Sequence, residues 1–113
     1  MTTTKSGKAK ARRLQNWTRD KLKYIHDFLT DDDIKCALMG ESGADVKLIS
    51  KIARITVPYD IECKNVEKIN VWGAYEQASQ HGDMEPLLII KKNGKKPLAV
   101  VDAEHFLYLQ ART

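Results

Sequence analysis

The sequence predicts an α/β fold, with a central mixed β-sheet of about five strands flanked by helices. Three observations predict it. An amphipathic 3.6-residue periodicity opens the chain and returns in two later segments. Between these segments lie short apolar or alternating runs of strand length. Asn93-Gly94 separates two of those runs and is a strong signal for a tight hairpin. The resulting order is helix, three strands, helix, two strands, helix, which packs as a layered α/β or α+β sandwich.

Residues 1–9 are Thr, Lys, Ser, Gly and Ala after the initial Met, a composition that orders poorly, and they read as a flexible basic tail. A single domain spans 10–113. Its first helix covers about 10–29, where Leu14, Thr18, Leu22, Ile25 and Leu29 recur at steps of three and four, with Trp17 and Phe28 alongside. Thr30-Asp31-Asp32-Asp33 ends it as a solvated turn. Ile34 to Met39 is a short edge strand. The Gly-rich turn 40–43 leads into an alternating strand, Asp45-Val46-Lys47-Leu48-Ile49. Residues 50–56 connect, with room for a helical turn, to the strand opened by Val57-Pro58 and running to Lys64. Pro58 stands near its start, where a lost N–H does least harm. Asn70 caps a helix over about 70–81, with Val71, Ala74, Tyr75 and Ala78 as its apolar stripe and Gly82 as its close. Pro86 to Lys92 is a buried-type strand, Pro97 to Val101 its hairpin partner, and Asp102 the N-cap of a last helix whose Phe106 and Leu109 face inward.

At 113 residues the chain is one domain and buries about two-thirds of the surface its unfolded form exposes. No stretch approaches the ~20 apolar residues of a membrane span, and the basic N-terminus lacks a secretory core. These features point to the cytoplasm and away from a membrane. The net charge of +4 favours a polyanionic partner. It is concentrated in Lys5, Lys8, Lys10, Arg12 and Arg13 near the N-terminus and in Lys91, Lys92, Lys95 and Lys96 around the hairpin turn. The 2 cysteines make no disulfide framework. The 3 histidines, His26, His81 and His105, are scattered and read as surface or packing residues, with His81-Gly82-Asp83 a helix exit into a turn.

The chemistry-bearing residues are Asp45, Glu62 and Lys64. Successive side chains on a strand alternate faces, so Glu62 and Lys64 share one side and Cys63 takes the other, as a small core residue. If the segment around Asp45 is the neighbouring strand, its carboxylate meets them. Two carboxylates suit Mg²⁺, a hard cation that takes oxygen ligands. A nearby lysine can orient a water or stabilise charge growing on a phosphate.

Asp45 … Glu62-Cys63-Lys64, together with Gly-Glu-Ser-Gly-Ala-Asp (40–45), Ile-Glu-Cys-Lys-Asn (61–65) and Trp-Gly-Ala-Tyr-Glu-Gln-Ala (72–78), resembles the Asp … Glu-x-Lys signature of the PD-(D/E)XK nuclease superfamily, in particular its short phage-type members. The resemblance covers roughly residues 10–110. It implies a restriction-endonuclease-like core and Mg²⁺-dependent cleavage of DNA, with Mn²⁺ able to substitute. Asp45 and Glu62 would be metal ligands, the backbone carbonyl of Cys63 would complete the coordination, and Lys64 would act on the attacking water or the phosphorane. Gln77 matches a Gln that some relatives turn toward the site; Glu76, about 100° away around the helix, cannot face it too.

Two departures stand out. Ala44 replaces the Pro of the literal motif, and the first helix offers Gln15, Asp20 and Asp27 but no Glu. Glu41 is the candidate substitute metal ligand. Lys8 in the tail and Lys10, Arg12, Arg13 and Arg19 on the N-terminal helix, with Lys91, Lys92, Lys95 and Lys96, are the candidate DNA contacts. Ser42 and Gly43 are positioned for a phosphate to approach the backbone. Trp72 reads as a core or dimer-interface residue ahead of a base-stacking one. The chain has no base-reading module, so a structure-selective enzyme acting in DNA recombination as a homodimer, like a Holliday junction resolvase, is the leading expectation. The alternatives are a nicking or homing-type enzyme, a RecB-like nuclease, a non-catalytic DNA-binding protein of the same fold, and an RNA-directed protein.

Overall fold

The computed structural model describes residues 4–112. Residues 1–3 of the expected tail and Thr113 of the expected domain lie outside the described residues, as does the Lys5 side chain. The fold is α/β: five strands form one mixed sheet in sequential order, flanked by four helices. That architecture is consistent with a restriction-endonuclease-like core.

Helix α1 runs Thr4–Ile25. It begins six residues before the expected start at 10, so residues 4–9 are helical where a flexible tail was expected. Lys8, Ala9, Lys10 and Ala11 are good helix formers, and the segment is tied down: Asn65 Nδ2 donates to the Lys10 carbonyl (2.9 Å) and Lys10 Nζ pairs with Glu67 (3.2 Å). The helix also ends earlier than its apolar stripe predicts. Leu29 N–H turns back to the His26 carbonyl and Asp33 Oδ2 accepts from both the N–H and the hydroxyl of Thr30, which closes the chain into a turn. Leu29 still reaches the core, but from that turn; Ile25 and Phe28 are exposed.

Strands β1 (Ile34–Cys36) and β2 (Val46–Leu48) pair antiparallel, and β2 pairs antiparallel with β3 (Tyr59–Asn65) through Val46 opposite Ile61. β1 stops at Cys36, short of the expected Met39, because residues 37–45 form a loop in which Gly40 and Gly43 both take positive φ. Helix α2 (Lys51–Thr56) fills the connector, capped by Ser50, whose side chain accepts from Ala53 N–H at 3.1 Å. Helix α3 (Val71–Ser79), capped by Asn70, crosses from β3 to β4 (Glu85–Lys91), the one parallel pair. β5 (Leu98–Val100) returns antiparallel after the Asn93-Gly94 turn, and α4 (Ala103–Ala111) is capped by Asp102. No residue of α4 is buried; Phe106 is 48% and Leu109 40% exposed, so neither faces in as expected.

The core lies between α1 and one face of the sheet. Leu14, Leu29, Ile34, Val46, Leu48, Ala53, Val57, Ile61, Cys63 and Ile89 form one cluster there. On the other face, Ala74 and Ala78 of α3 are buried, as is Leu88 of β4, while Trp72 is 85% exposed and is no core residue. Among the described residues no helix is long and apolar enough to cross a membrane.

Candidate functional site

The alternation of β3 sorts its residues cleanly. Ile61 and Cys63 enter the α1-side core, whereas Asp60, Glu62 and Lys64 point to the α3 side. Glu62 is 3% exposed although it is a carboxylate. Its two oxygens are separately engaged: Oε2 lies 3.3 Å from Lys64 Nζ and Oε1 lies 2.5 Å from His81 Nε2. A buried charge is tolerated only when paired in this way.

Asp45 immediately precedes β2 rather than lying within it. Its N–H donates to the Ile61 carbonyl (2.8 Å), and its Oδ2 accepts from the Cys63 N–H (2.8 Å). These two bonds fasten the Asp45 carboxylate to the edge of β3 between Ile61 and Cys63. Because the N–H and C=O of a residue in an extended strand point to the same edge, the Cys63 carbonyl faces the edge at which Asp45 sits. Burial pushes the Asp45 carboxyl above its ordinary range; the Cys63 N–H opposes this, the negative charge of Glu62 adds to it, and Lys64 and His81 offset it. Asp45, Glu62, Lys64 and His81 thus form one electrostatic unit.

Two members of that neighbourhood were not singled out in the sequence. His81 was expected at the surface; instead its side chain is 12% exposed and bound to Glu62. Nothing local signals this, because the contact depends on where α3 ends over the sheet. Asp60 is buried, accepts from Met84 N–H (3.1 Å), and is pushed up in pKa by burial. The alternation that unites Glu62 with Lys64 also places Asp60 on their face, and that signal was legible. The turn after α3 lies close over it: a Cβ on Gly82 would come within 3.1 Å of Asp60 Oδ2.

The remaining sequence candidates divide. Gln77 is exposed and lines a recess with Lys64, Asn70 and Gly73. Glu41 lines a second recess with Asp45, Lys8, Arg12 and Gln15. Its carboxylate is turned onto its own loop, where Oε1 accepts from Leu38 N–H (2.8 Å) and Oε2 lies 3.5 Å from Lys47 Nζ. Lys47 also donates to the Ser42 carbonyl (2.7 Å), so a lysine rather than open backbone covers Ser42 and Gly43. Lys8 and Arg12 stand beside Asp45. Arg19 is paired with Asp20 (2.9 Å), and Lys10 and Arg13 line a recess shared with Lys91. Lys91, Lys92, Lys95 and Lys96 line a larger recess with Ile90 and Leu98. Cys63 is buried, its thiol pushed up to about 12 by burial and its Sγ 3.8 Å from Thr18 Oγ1.

Among the described residues no three His, Cys, Asp or Glu side chains group as a metal cage. The oxygen donors at hand are the carboxylates of Asp45 and Glu62 with the Cys63 carbonyl, and Glu41 does not join them. That donor set is chemically suited to a hard cation that keeps several waters. Positive charge between the two carboxylates would also relieve the Glu62 repulsion that adds to the effect of burial on Asp45.

No family model matches this chain, and no curated protein or solved structure matches it.

Proposed function

We propose that this chain is a Mg²⁺-dependent DNA endonuclease of the PD-(D/E)XK type, selective for branched DNA. The observation that carries the reading is the convergence of Asp45 with Glu62 and Lys64: Asp45 Oδ2 rests on the Cys63 N–H while Lys64 Nζ stands 3.3 Å from Glu62, on the adjacent strand.

Asp45, Glu62 and the Cys63 carbonyl would hold Mg²⁺, or Mn²⁺ in its place, and the chemistry that cation supplies is neutralisation of charge on the phosphate oxygens. The chain's own groups do the rest. Lys64 donates from Nζ toward the water that attacks phosphorus, or to the oxygens on which charge grows. Gln77, on the same recess, can donate or accept beside it. His81 holds Glu62 in orientation through Oε1. Lys8 and Arg12, beside Asp45, place a phosphate backbone; such contacts position DNA without reading its sequence. The exposed apolar side chains of α4 and β5 (Phe106, Leu107, Tyr108, Leu109 and Leu98) support a homodimer, which would present two sites to a symmetric junction.

One observation favours a second reading. Both Glu62 oxygens are already engaged by Lys64 and His81, as in a DNA-binding protein that has kept the fold without the reaction. Cleavage of a labelled four-way junction beside linear duplex of the same sequence, with Mg²⁺ and with EDTA, separates the two. Paired symmetric nicks on the junction alone, lost in Lys64→Ala, are expected. Equal cutting of linear duplex would remove the junction preference, and no Mg²⁺-dependent cutting of either would favour the non-catalytic protein.

A further inference from the structure

Two basic clusters far apart in the sequence meet around one recess of about 250 Å³, on the sheet face opposite Glu62 and Lys64. Lys10 and Arg13 reach it from α1 and Lys91 from the end of β4, with Trp17 as an apolar wall. Glu67 ties the two sides together, accepting from Lys10 Nζ (3.2 Å) and from Asn93 N–H (2.9 Å).

Asn65 lines this recess and is only 6% exposed. Its Nδ2 donates to the Lys10 carbonyl at 2.9 Å. A carbonyl can only accept, so the amide orientation is settled, and Oδ1 is closed off from solvent. Asn65 is therefore a wall of the recess, and the groups open to an occupant are a half-exposed indole (Trp17, 41%), Lys91 and an arginine, Arg13, that forms no ion pair among the described residues. An occupant that suits them brings a flat apolar face and negative charge. The volume is below the usual range of small-molecule sites, which suits one such unit.

We propose that this recess takes a single unstacked nucleobase of a single-stranded DNA segment. The base ring packs against Trp17, and the flanking phosphates lie against Arg13 and Lys91. The inference rests on DNA being the partner but not on cleavage. Trp72 is a second tryptophan, so Trp72→Phe is the parent for fluorescence. In EDTA, a single-stranded 12-mer is expected to quench Trp17 emission. By anisotropy, Trp17→Ala should weaken labelled 12-mer binding about tenfold, the usual scale of base stacking, with Trp17→Phe retaining most of it. Arg13→Ala should reduce the slope of log K against log salt by about one. Unchanged affinity in Trp17→Ala, or emission insensitive to the 12-mer, would overturn the inference while junction binding and cleavage by the parent would leave the nuclease reading standing. Quenching by dAMP alone, with none by the 12-mer, overturns the assignment to a strand. A parent that binds no DNA of any form removes both.

Discussion

The two faces of β3 are built from the same seven residues and obey opposite rules. Toward α1, Ile61 and Cys63 join a cluster of aliphatic side chains, and the polar contacts are Thr18 with Cys63, the Thr18 hydroxyl with the Leu14 carbonyl of its own helix (2.9 Å), and the Asn65 amide with the Lys10 carbonyl (2.9 Å). Toward α3, Asp60 and Glu62 are buried as well, and each is held by a polar partner from the turn after α3, Met84 N–H for Asp60 and His81 for Glu62. Burial of apolar atoms stabilises by removing them from water. Burial of a carboxylate costs stability and persists where something else requires the group. The α1 face therefore stabilises the molecule through apolar burial, and the α3 face, with Asp45 at its edge, holds buried carboxylates at a cost in stability.

The comparison breaks most sharply in activity. Glu62→Gln should lower Mg²⁺-dependent cleavage by on the order of 10³-fold, comparable to removing a group that stabilises the transition state, while the denaturation midpoint holds or rises. A variant that cleaves normally would make Glu62 a structural residue and erase the distinction. On the other face, Ile61→Ala, fully buried in the wild type, should cost about 2–5 kcal/mol in chemical denaturation; a loss under about 1 kcal/mol would show that the α1 face is not the main source of stability.

Titration sharpens the same contrast. Burial raises the Asp45 carboxyl in the folded state, so its protonated form is favoured there. The stabilising contribution of that group is complete below the ordinary aspartate value of about 3.9 and is lost as pH rises through the elevated folded value. At neutral pH the ionised form is a cost. Asp45→Asn should therefore melt higher than wild type at pH 7, with the advantage shrinking as pH falls through the elevated folded value and levelling off below the ordinary aspartate value. An advantage that did not change with pH would mean that the charge of Asp45 is not what is being relieved. The smallest effect concerns the turn that covers the site. Gly82→Ala places a methyl 3.1 Å from Asp60 Oδ2 and should cost about 1 kcal/mol, with about half of that recovered when Asp60 is replaced by Ala, as a double-mutant cycle would read. Full additivity would show that Asp60 and the turn do not press on one another.

Much of the fold was legible because its signals are local. The strand run in 57–64, the hairpin at Asn93-Gly94 and the caps at Asn70 and Asp102 each depend on residues within a few positions of one another. The errors fell where tertiary contact overrides composition. Residues 4–9 lead as helix into Lys10, which Asn65 and Glu67, at and just past the end of β3, hold in place. α1 ended at Ile25 despite a continuing stripe because Asp33 captured Thr30. α4 kept the helical periodicity that made Phe106 and Leu109 look internal, but both stay 40% or more exposed among the described residues.

The same division runs through the site. The sequence by itself determined that Glu62 and Lys64 share a side and Cys63 takes the other, since a period of two is a property of any extended strand. It also determined which carboxylates and cations were available. Only the tertiary structure decided that Asp45 meets the Cys63 N–H, that His81 closes on Glu62, that Asp60 lies under the turn at Gly82, and that Lys10 and Arg13 share a recess with Lys91 around Asn65. Each of those contacts joins residues 18 to 81 positions apart or less directly coupled elements, and is set by strand register and by the path of the α3 crossover. Local propensity carries no information about either, because both follow from which surfaces the whole chain can bury together.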